Sequence, residues 1–482
     1  MQTLADNALA IADRNGVEYA DVRLEAIRER HLATKNGKVV GVSEHETLGI
    51  GIRVLSNGAW GFAGTSDLSA KGIEAAVNRA YQIAEASSLV RLHPTRLAPE
   101  QPHQGSWTSP CRIDPFSLSS DEQLSHLLAV DDELRRTSGV TLAEAQMAFA
   151  RNETWFASTE GSRLHQVRTT SGAGCAAYSY KEDEIQKRSY PTSFGGQYEL
   201  KGYELVQEWD MLAHAPRIAD EAVALHTADP CPQGRFDIIL EGSQLGLQIH
   251  ESIGHPIELD RVLGSEANYA GLSFLSLNDV DRLRYGSEIV NVVCDARLEH
   301  GQGLGTFAYD DEGVPAQGVP IIENGIFRGF MTSRETAASI GAPRSSGTMR
   351  ADGWHRLPLI RMTNVSLLPG RQSLDEVFDA DRAIYMETNK SWSIDDKRYN
   401  FQFGTEIAWE IKNGKKVRML RNPTYSGIST EFWNSCDAIA GPEHWTLWGV
   451  PNCGKGQPEQ VIGTGHGASP ARFRNVSVAP SV

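Results

Sequence analysis

Asn-Gly pairs separate stretches with a strand-like pattern at 36–37, 57–58, 324–325 and 413–414. Both residues tolerate the positive φ of a type I′ turn, whose twist matches that of two antiparallel strands. We therefore predict β-hairpins in both halves of the chain. Beyond about residue 290 the pattern consists mostly of strands and turns, so the second half is predicted to be rich in strands.

Apolar residues at helical spacing occur between these strands. They predict helices from Leu4 to a stop at Gly16, over 68–87 and over about 205–225. Ser119 and Glu122 form a capping box that opens another helix, which ends near residue 136. The fold class is therefore α+β, with a mixed N-terminal region and a strand-rich C-terminal domain.

The turn-forming stretch 228–234 is the most plausible domain boundary. We predict an N-terminal α/β domain over residues 1–230 and a C-terminal β-rich domain over 231–482. After the short apolar run 236–240, Ser243 is predicted to cap a helix that continues to His255.

The formal net charge of −15 disfavours nucleic acid, because phosphate binding requires clustered Lys and Arg. No stretch approaches the ~20 apolar residues of a membrane span, and the first residues do not resemble a secretory signal. The six cysteines are scattered and form no CxxC pair, which indicates free thiols in a reducing compartment. We therefore expect a cytoplasmic protein without a nucleic-acid or membrane partner.

The segment from His250 to His255 carries the clearest chemical signal, because a Glu follows the first of its two histidines. Neutral imidazoles suit zinc, and Glu251 has the position of a general base for a water activated by the metal. The alternative is that His250 is a core histidine and Glu251 a solvated helix residue. Catalytic zinc usually takes three protein ligands, so the two histidines alone leave the site incomplete.

The histidine spacing is five, whereas HExxH motifs have four. In a regular α-helix, five residues rotate the second side chain by roughly 140° from the first. A π-turn, or an end of the helix between the histidines, would let both imidazoles converge. Gly254 makes either distortion easier, and Pro256 disfavours helical angles at His255. We predict that His255 lies at a distorted or terminal turn.

Cys453 is a candidate third ligand, since a thiolate suits zinc and a Gly/Pro-rich turn could hold it rigidly. Spacing alone makes it no better than Cys294 or Cys436. The segment from Gly449 to Lys455 also imitates a phosphate-binding loop. The next residue, however, is Gly456 instead of Ser or Thr, and no helix is predicted to follow.

Several motifs together resemble the TldD/PmbA family of metallopeptidases, specifically its catalytic TldD-type subunit. They follow one another from about residue 236 to the C-terminus in the family's order: His250-Glu251-Ser252-Ile253-Gly254-His255, Asp310-Asp311-Glu312-Gly313-Val314-Pro315, Ile322-Glu323-Asn324-Gly325-Ile326, Arg361-Met362-Thr363-Asn364, Leu368-Pro369-Gly370 and Val450-Pro451-Asn452-Cys453-Gly454-Lys455. The first half matches more loosely, through 19–23 and 49–54.

The resemblance implies that His250, His255 and Cys453 bind the metal and that Glu251 is the catalytic residue. Two imidazoles and a thiolate favour Zn2+. The family binds unfolded or extended peptides and works as a dimer, so the resemblance implies a homodimer or a heterodimer with a TldE/PmbA-like subunit. It also implies that the N-terminal domain serves dimerisation and encloses the cavity, and that the C-terminal domain is the metallopeptidase.

Two features depart from the family pattern. Pro256 stands where the family commonly has Gly, and the segment 431–448 is unusual in carrying three tryptophans. These departures leave the metal chemistry intact and make a specialised substrate more plausible.

Three functions are therefore considered. The first is a zinc-dependent peptidase. The second is a metal-dependent amide-transforming enzyme of natural-product biosynthesis, and the third is a non-catalytic peptide-binding subunit. The complete set of Glu251 and three candidate ligands favours the first.

Two further groups of residues are considered near the active site. The acidic stretch 310–312 could surround the site or line the substrate path, although we favour a solvated loop before Gly313. The sequence does not identify the group that stabilises the oxyanion. The candidates are His300, His355, His444 and His466.

Overall fold

The structure is a computed structural model that describes residues 1–481, and its α+β architecture confirms the predicted fold class. The strands in this range are β1 (Tyr19–Lys35), β2 (Lys38–Ser56), β3 (Ala59–Thr65), β4 (Gln104–Thr108), β5 (Leu142–Ser158), β6 (Arg163–Lys181), β7 (Glu184–Tyr190), β8 (Gln197–Glu199), β9 (Asp229–Pro230), β10 (Gly234–Leu240), β11 (Val292–Asp295), β12 (Gly318–Glu323), β13 (Ile326–Phe327), β14 (Met349–Arg350), β15 (Leu359–Ile360), β16 (Val365–Leu367), β17 (Arg382–Ile394), β18 (Asn400–Lys412), β19 (Lys415–Arg421), β20 (Pro423–Ile428), β21 (Cys436–Ile439), β22 (Thr446–Lys455), β23 (Gln460–Ala468) and β24 (Ala471–Pro480).

The helices in the same range are α1 (Gln2–Arg14), α2 (Ala70–Ser88), α3 (Ser120–Arg135), α4 (Glu204–Trp209), α5 (Met211–Ala224), α6 (Gly242–Ile249), α7 (Leu259–Val262), α8 (Arg334–Ser339), α9 (Leu374–Phe378) and α10 (Ser429–Asn434). The capping box of α3 is present as predicted, because Ser119 and Glu122 each accept from the other's backbone N–H. In the described part of the chain, no helix is long and apolar enough to cross a membrane.

The first sheet has the strand order β3-β2-β1-β5-β6-β4, with β7 and β8 also paired to β6. The predicted hairpin turn between β1 and β2 is present, with a φ of 49° at Asn36 and 73° at Gly37. The predicted helix over about 205–225 is broken into α4 and α5. Asp210 adopts a left-handed conformation at the break, and its side chain caps α5 at the Ala213 N–H.

The second sheet has the order β17-β10-β24-β20-β18-β19-β9, and β17 also pairs with β18. This additional pairing closes β17, β10, β24, β20 and β18 into a ring. Strands β22 and β23 form a separate two-stranded sheet, and β11, β12, β13 and β16 form another. The division into domains at residues 230 and 231 stays a prediction.

Asp310 and Glu312 of the acidic stretch are buried and Asp311 is half-buried, so the interpretation of this stretch as a solvated loop was wrong. Asp310 and Glu312 are each only 3% exposed. The carboxylate of Asp310 accepts backbone N–H groups, including that of Met349 at 3.0 Å. Glu312 Oε1 accepts from Arg53 of β2 at 3.0 Å. The contact between Arg53 and Glu312 ties the first sheet to the second half of the chain, and this charge pairing offsets the cost of burying Glu312.

Candidate metal centre

Helix α6 lies in the protein interior and ends directly before the segment from His250 to His255. Its N-cap is Glu241, not Ser243 as the sequence suggested, because the Glu241 carboxylate accepts from the Ser243 N–H at 2.9 Å. Every residue of α6 is buried, so the helix is surrounded by packed elements and delivers His250 to the core. Burial on all sides explains its apolar composition.

Residues His250–Gly254 form a π-turn, which confirms the predicted distortion at His255. The His255 N–H donates to the His250 carbonyl at 3.1 Å, five residues earlier. Two side chains hold the widened backbone. Tyr285 donates its hydroxyl to the Ser252 carbonyl. Trp433, from the unusual tryptophan-bearing segment, donates its indole N–H to Ser252 Oγ at 2.9 Å.

The π-turn brings the predicted ligands together. Because His250 and His255 are five residues apart across it, their ring centroids lie 4.8 Å from each other. Cys453 Sγ lies 3.8 Å from His255 Nε2. One ligand atom from each of His250, His255 and Cys453 lies within 4.8 Å of the others, and all three residues are buried. They form a candidate metal site.

His466 fixes the tautomer of His250. The Nδ1 of His466 lies 3.0 Å from the Val365 carbonyl, to which it must donate. Burial, and then the facing His250, lower the pKa of His466 well below its usual range, so the ring is neutral and its Nε2 accepts. His250 Nδ1 donates to this atom at 2.8 Å. The free lone pair of His250 is therefore on Nε2.

Glu258 orients His255 in the same way. Its Oε2 accepts from His255 Nδ1 at 3.0 Å, which leaves the Nε2 lone pair directed towards Cys453. Burial lowers the pKa of His255 well below its usual range, although Cys453 acts in the opposite direction. Both candidate histidine ligands are thus neutral with one nitrogen free, as metal binding requires.

Lys455 anchors Glu258 from the Cys453 side of the site. Its ammonium is fully buried and lies 3.3 Å from Glu258, 2.8 Å from Asp260 and 3.2 Å from Glu266. Burial opposes the charge, but the three carboxylates outweigh it and raise the pKa of Lys455. The ion cluster therefore joins the segment after His255 to the strand that carries Cys453.

Cys453 lies on β22, just after a register shift relative to β23. Its carbonyl accepts from the buried Arg361. Burial alone would raise the pKa of the Cys453 thiol, but His255 and then Arg361 act against it, and the net pKa lies below the usual value. The segment is a strand, which confirms the prediction that it is not a phosphate-binding loop.

Glu251 lies at the start of the π-turn and is 6% exposed. Its Oε2 accepts from Arg398 Nη1 at 2.6 Å. Within residues 1–481 no hydrogen bond reaches the other oxygen, Oε1. One carboxylate oxygen is thus fixed, while the second remains free to accept a proton.

The donor set fits zinc. Two neutral imidazoles and one thiolate leave a fourth position for water or substrate, as in catalytic zinc sites. Tetrahedral zinc separates such ligand atoms by roughly 3.3–3.6 Å. The 3.8 Å between His255 and Cys453 is close to this range, and the widest separation of 4.8 Å needs a contraction of about one ångström.

The other candidates lie elsewhere. Cys294 Sγ contacts Thr363 Oγ1 at 2.9 Å, and Cys436 Sγ faces the Ala438 carbonyl. Three of the four histidines considered for oxyanion stabilisation contact residues away from the ligand cluster. His300 lies beside Asp295 and Glu299, His355 packs against Trp354, and His444 lies beside Glu443. His466 is close, but it lies behind His250 and serves as its hydrogen-bond acceptor.

Three residues of the site were missed in the sequence. Glu258 follows His255 by three positions and Lys455 follows Cys453 by two, so proximity to the motifs was an available signal. Arg398 has no such signal, because it belongs to a hairpin turn 147 residues after Glu251.

Three family models match the chain. The model described as the PmbA/TldA metallopeptidase C-terminal domain matches residues 233–480. Those described as domain 1 and the central domain match residues 20–84 and 113–228.

Curated relatives are similar over nearly the whole chain and are named metalloproteases. A metalloprotease of Methanocaldococcus jannaschii is 28% identical over 459 residues, covering 93% of this chain and 95% of the relative. A zinc metalloprotease TldD homolog of Saccharolobus solfataricus is 27% identical, covering 89% and 90%. A metalloprotease TldD homolog of Haemophilus influenzae is 23% identical, covering 97% and 94%.

Solved structures share the fold at low sequence identity. A Thermotoga maritima protein described as a candidate modulator of a DNA gyrase has a TM-score of 0.79 at 17% identity, covering 99% of both chains. TldE from Thermococcus kodakarensis has a TM-score of 0.74 at 14% identity, covering 99% of this chain and 100% of its own.

Proposed function

The chain belongs to the PmbA/TldD family of metallopeptidases, and on that premise we propose that it is a zinc-dependent peptidase. Its substrates are unfolded or extended peptides. One observation carries the proposal: His250, His255 and Cys453 converge within 4.8 Å, and Glu251 adjoins the first of them. Zinc at these residues would supply a Lewis acid that polarises the substrate carbonyl and acidifies a water molecule.

Glu251 is the general base. Its free Oε1 accepts the proton of the attacking water, and the same carboxyl then delivers that proton to the departing amine. His466 and Glu258 hold the two imidazoles in the tautomers that leave their Nε2 atoms free. The buried surroundings limit competing water, which strengthens each electrostatic contact at the site.

A cavity of about 500 Å³ next to the hairpin that carries Cys453 offers space for a substrate. It is lined on one side by the first sheet, including His45 of β2, and on the other by Pro451 and Ile462. Ile462 pairs with Cys453 across β22 and β23, so the cavity borders the hairpin that carries the thiolate. Its volume lies within the range of sites that bury a drug-sized ligand, so it has room for a short peptide segment as well as for a small amide.

We further propose that the active form is a dimer, with a second copy or with a TldE/PmbA-like subunit. The likeness to a solved TldE supports a shared fold for the two kinds of subunit. A cysteine ligand and five further free cysteines are most easily kept reduced in the cytoplasm, which supports action there. Light scattering of the pure protein, alone and with a TldE-like chain, tests the assembly.

The activity is tested with zinc-loaded protein on fluorogenic unfolded peptides and on a panel of small amides. Glu251→Gln should bind zinc normally and lose activity by about 10²–10⁴-fold, the usual contribution of a general base. Glu288→Gln is the matched control, because Glu288 is exposed. Cleavage of amides but not peptides would favour an amide-transforming enzyme. Zinc binding with neither activity would favour a non-catalytic subunit.

A further inference from the structure

Arg398 reaches the metal-ligand motif from a distant hairpin. It lies in the turn between β17 and β18, and its side chain is only 15% exposed. Its contact with Glu251 Oε2 places a guanidinium beside the proposed general base.

The turn holds Arg398 in this position. Its backbone has a φ of 63°, a left-handed conformation that is unfavourable for residues other than glycine. Asp395 organises the turn by accepting from the Tyr399 N–H at 2.7 Å and from Asn400 Nδ2 at 2.8 Å. Ser429 donates to the Arg398 carbonyl at 2.9 Å. Surrounding contacts therefore maintain a strained residue, which is common where a side chain must be aimed.

The guanidinium has donors that the Glu251 contact does not use. Its Nε is buried without a hydrogen-bond partner among residues 1–481. In the same range, no hydrogen bond joins Nη2 to another group, whereas the Glu251 contact uses Nη1 alone. A cation beside a divalent-metal site is electrostatically unfavourable, and its ion pair with the buried Glu251 carboxylate offsets that cost. Unused N–H donors on a positively charged group suit a reaction that develops negative charge on oxygen.

We propose that Arg398 is a catalytic residue that stabilises the oxyanion formed during peptide hydrolysis. The inference rests on the proposed function. A water oxygen bonds to the carbonyl carbon, its proton passes to Glu251, and the carbonyl electron pair moves onto oxygen, where Arg398 donates a hydrogen bond. The pair then returns, the C–N bond breaks, and the proton on Glu251 moves to the nitrogen. One water is consumed for each bond cleaved.

The test compares Arg398→Gln, Arg398→Lys and the control Lys397→Gln, an exposed neighbour on the same turn. All are zinc-loaded full-length proteins. Two measurements distinguish a catalytic role from a structural one. The first is zinc affinity, measured by chelator competition. The second is the calorimetric affinity for a peptide phosphinate, compared with the affinity for the matching uncleaved peptide. The phosphinate is a tetrahedral anion and imitates the oxyanion, while the peptide does not.

Loss of one oxyanion donor typically lowers kcat by about 10²–10³-fold, and we expect this for Arg398→Gln. Phosphinate affinity should fall by a comparable factor, whereas zinc affinity and peptide binding should change by less than about threefold. Arg398→Lys should retain part of the phosphinate affinity because it keeps the charge, and Lys397→Gln should match the wild type. Partial rescue of kcat in Arg398→Gln by added guanidinium would support the same role.

Equal phosphinate affinity in wild type and Arg398→Gln would overturn the inference, and so would a loss of zinc affinity in step with kcat. Failure of the proposed function looks different. A wild-type protein that cleaves no peptide contradicts the peptidase proposal, while phosphinate binding still decides the role of Arg398.

Discussion

The backbone N–H of His255 donates to the carbonyl of His250 at 3.1 Å, five residues earlier in the chain. This π-turn explains how a motif with a five-residue spacing can direct two imidazoles to one point. A regular helix would rotate the second side chain roughly 140° away from the first. The candidate metal site thus depends on a local backbone widening that the surrounding residues must maintain.

Gly254 is the first test of that dependence. A Cβ at this position would lie 2.1 Å from Met362 Sδ. We expect Gly254→Ala to lower the free energy of unfolding by about 1–3 kcal/mol through overpacking, measured by urea denaturation. Met362→Ala leaves a cavity of its own, but the double variant should lose less stability than the sum of the two single variants, because the two changes compensate each other sterically. Gly329→Ala is the control, because a Cβ there meets no atom within 4 Å. Equal effects at positions 254 and 329 would contradict the steric argument.

Glu258 should control metal affinity without being a ligand. Glu258→Gln removes the charge that accepts from His255 Nδ1, so we expect zinc affinity to fall by about 10–100-fold. Competition with a chromophoric chelator measures the change. Glu443→Gln, at an exposed site, should leave the affinity unaltered. An unchanged zinc affinity in Glu258→Gln would exclude the orienting role.

Lys455→Met should destabilise the protein even without metal. The change leaves Glu258 and Asp260 buried without their ammonium partner, and Glu266 keeps only Arg261. Loss of one member of a buried ion cluster typically costs about 3–5 kcal/mol. Urea unfolding of metal-free protein measures it, with the exposed Lys397→Met as control. A loss below about 1 kcal/mol would show that the cluster relaxes or hydrates.

The buried carboxyl of Glu25 should make the free energy of unfolding depend on pH. Burial raises the pKa of its carboxyl to about 7, although Arg23 opposes the shift. The folded state therefore binds this proton more tightly than the unfolded state, whose pKa is near 4.5. The contribution of Glu25 to stability is present below the unfolded pKa and is lost as pH rises towards 7.

Glu25→Gln removes this titration. Relative to wild type, we expect the variant to be more stable at about pH 8 than at about pH 5, by at most about 3 kcal/mol. Urea denaturation at both pH values measures the difference. Glu29→Gln, exposed on the same strand, should show the pH dependence of the wild type. Parallel pH profiles for Glu25→Gln and wild type would contradict the shifted pKa.

Local chemistry made much of the fold predictable. The Asn-Gly hairpins and the Ser119 capping box depend on neighbouring residues, and the structure contains both. The π-turn was also predictable, since the His250–His255 spacing and the adjacent glycine allow few alternatives. The errors came from tertiary context. Asp210 breaks a helix whose apolar spacing continues, and Glu312 of the acidic stretch 310–312 is buried against partners such as Arg53.

The site was only partly predictable for the same reason. The motif singled out His250 and His255, whereas spacing could not distinguish Cys453 from Cys294 or Cys436, and only the family resemblance did so. The contact of Arg398 with Glu251 joins residues 147 positions apart, and no motif marks the arginine. Such contacts arise from sheet topology, which a single sequence does not reveal.

The central claim is tested most directly by the metal content of the purified protein beside Cys453→Ala, with Cys436→Ala as a control for loss of a buried thiol elsewhere. Mass spectrometry of the metal should find about one zinc per chain in wild type and Cys436→Ala, and far less in Cys453→Ala. Wild-type protein that stays metal-free after zinc is supplied would contradict the account, as would undiminished zinc in Cys453→Ala.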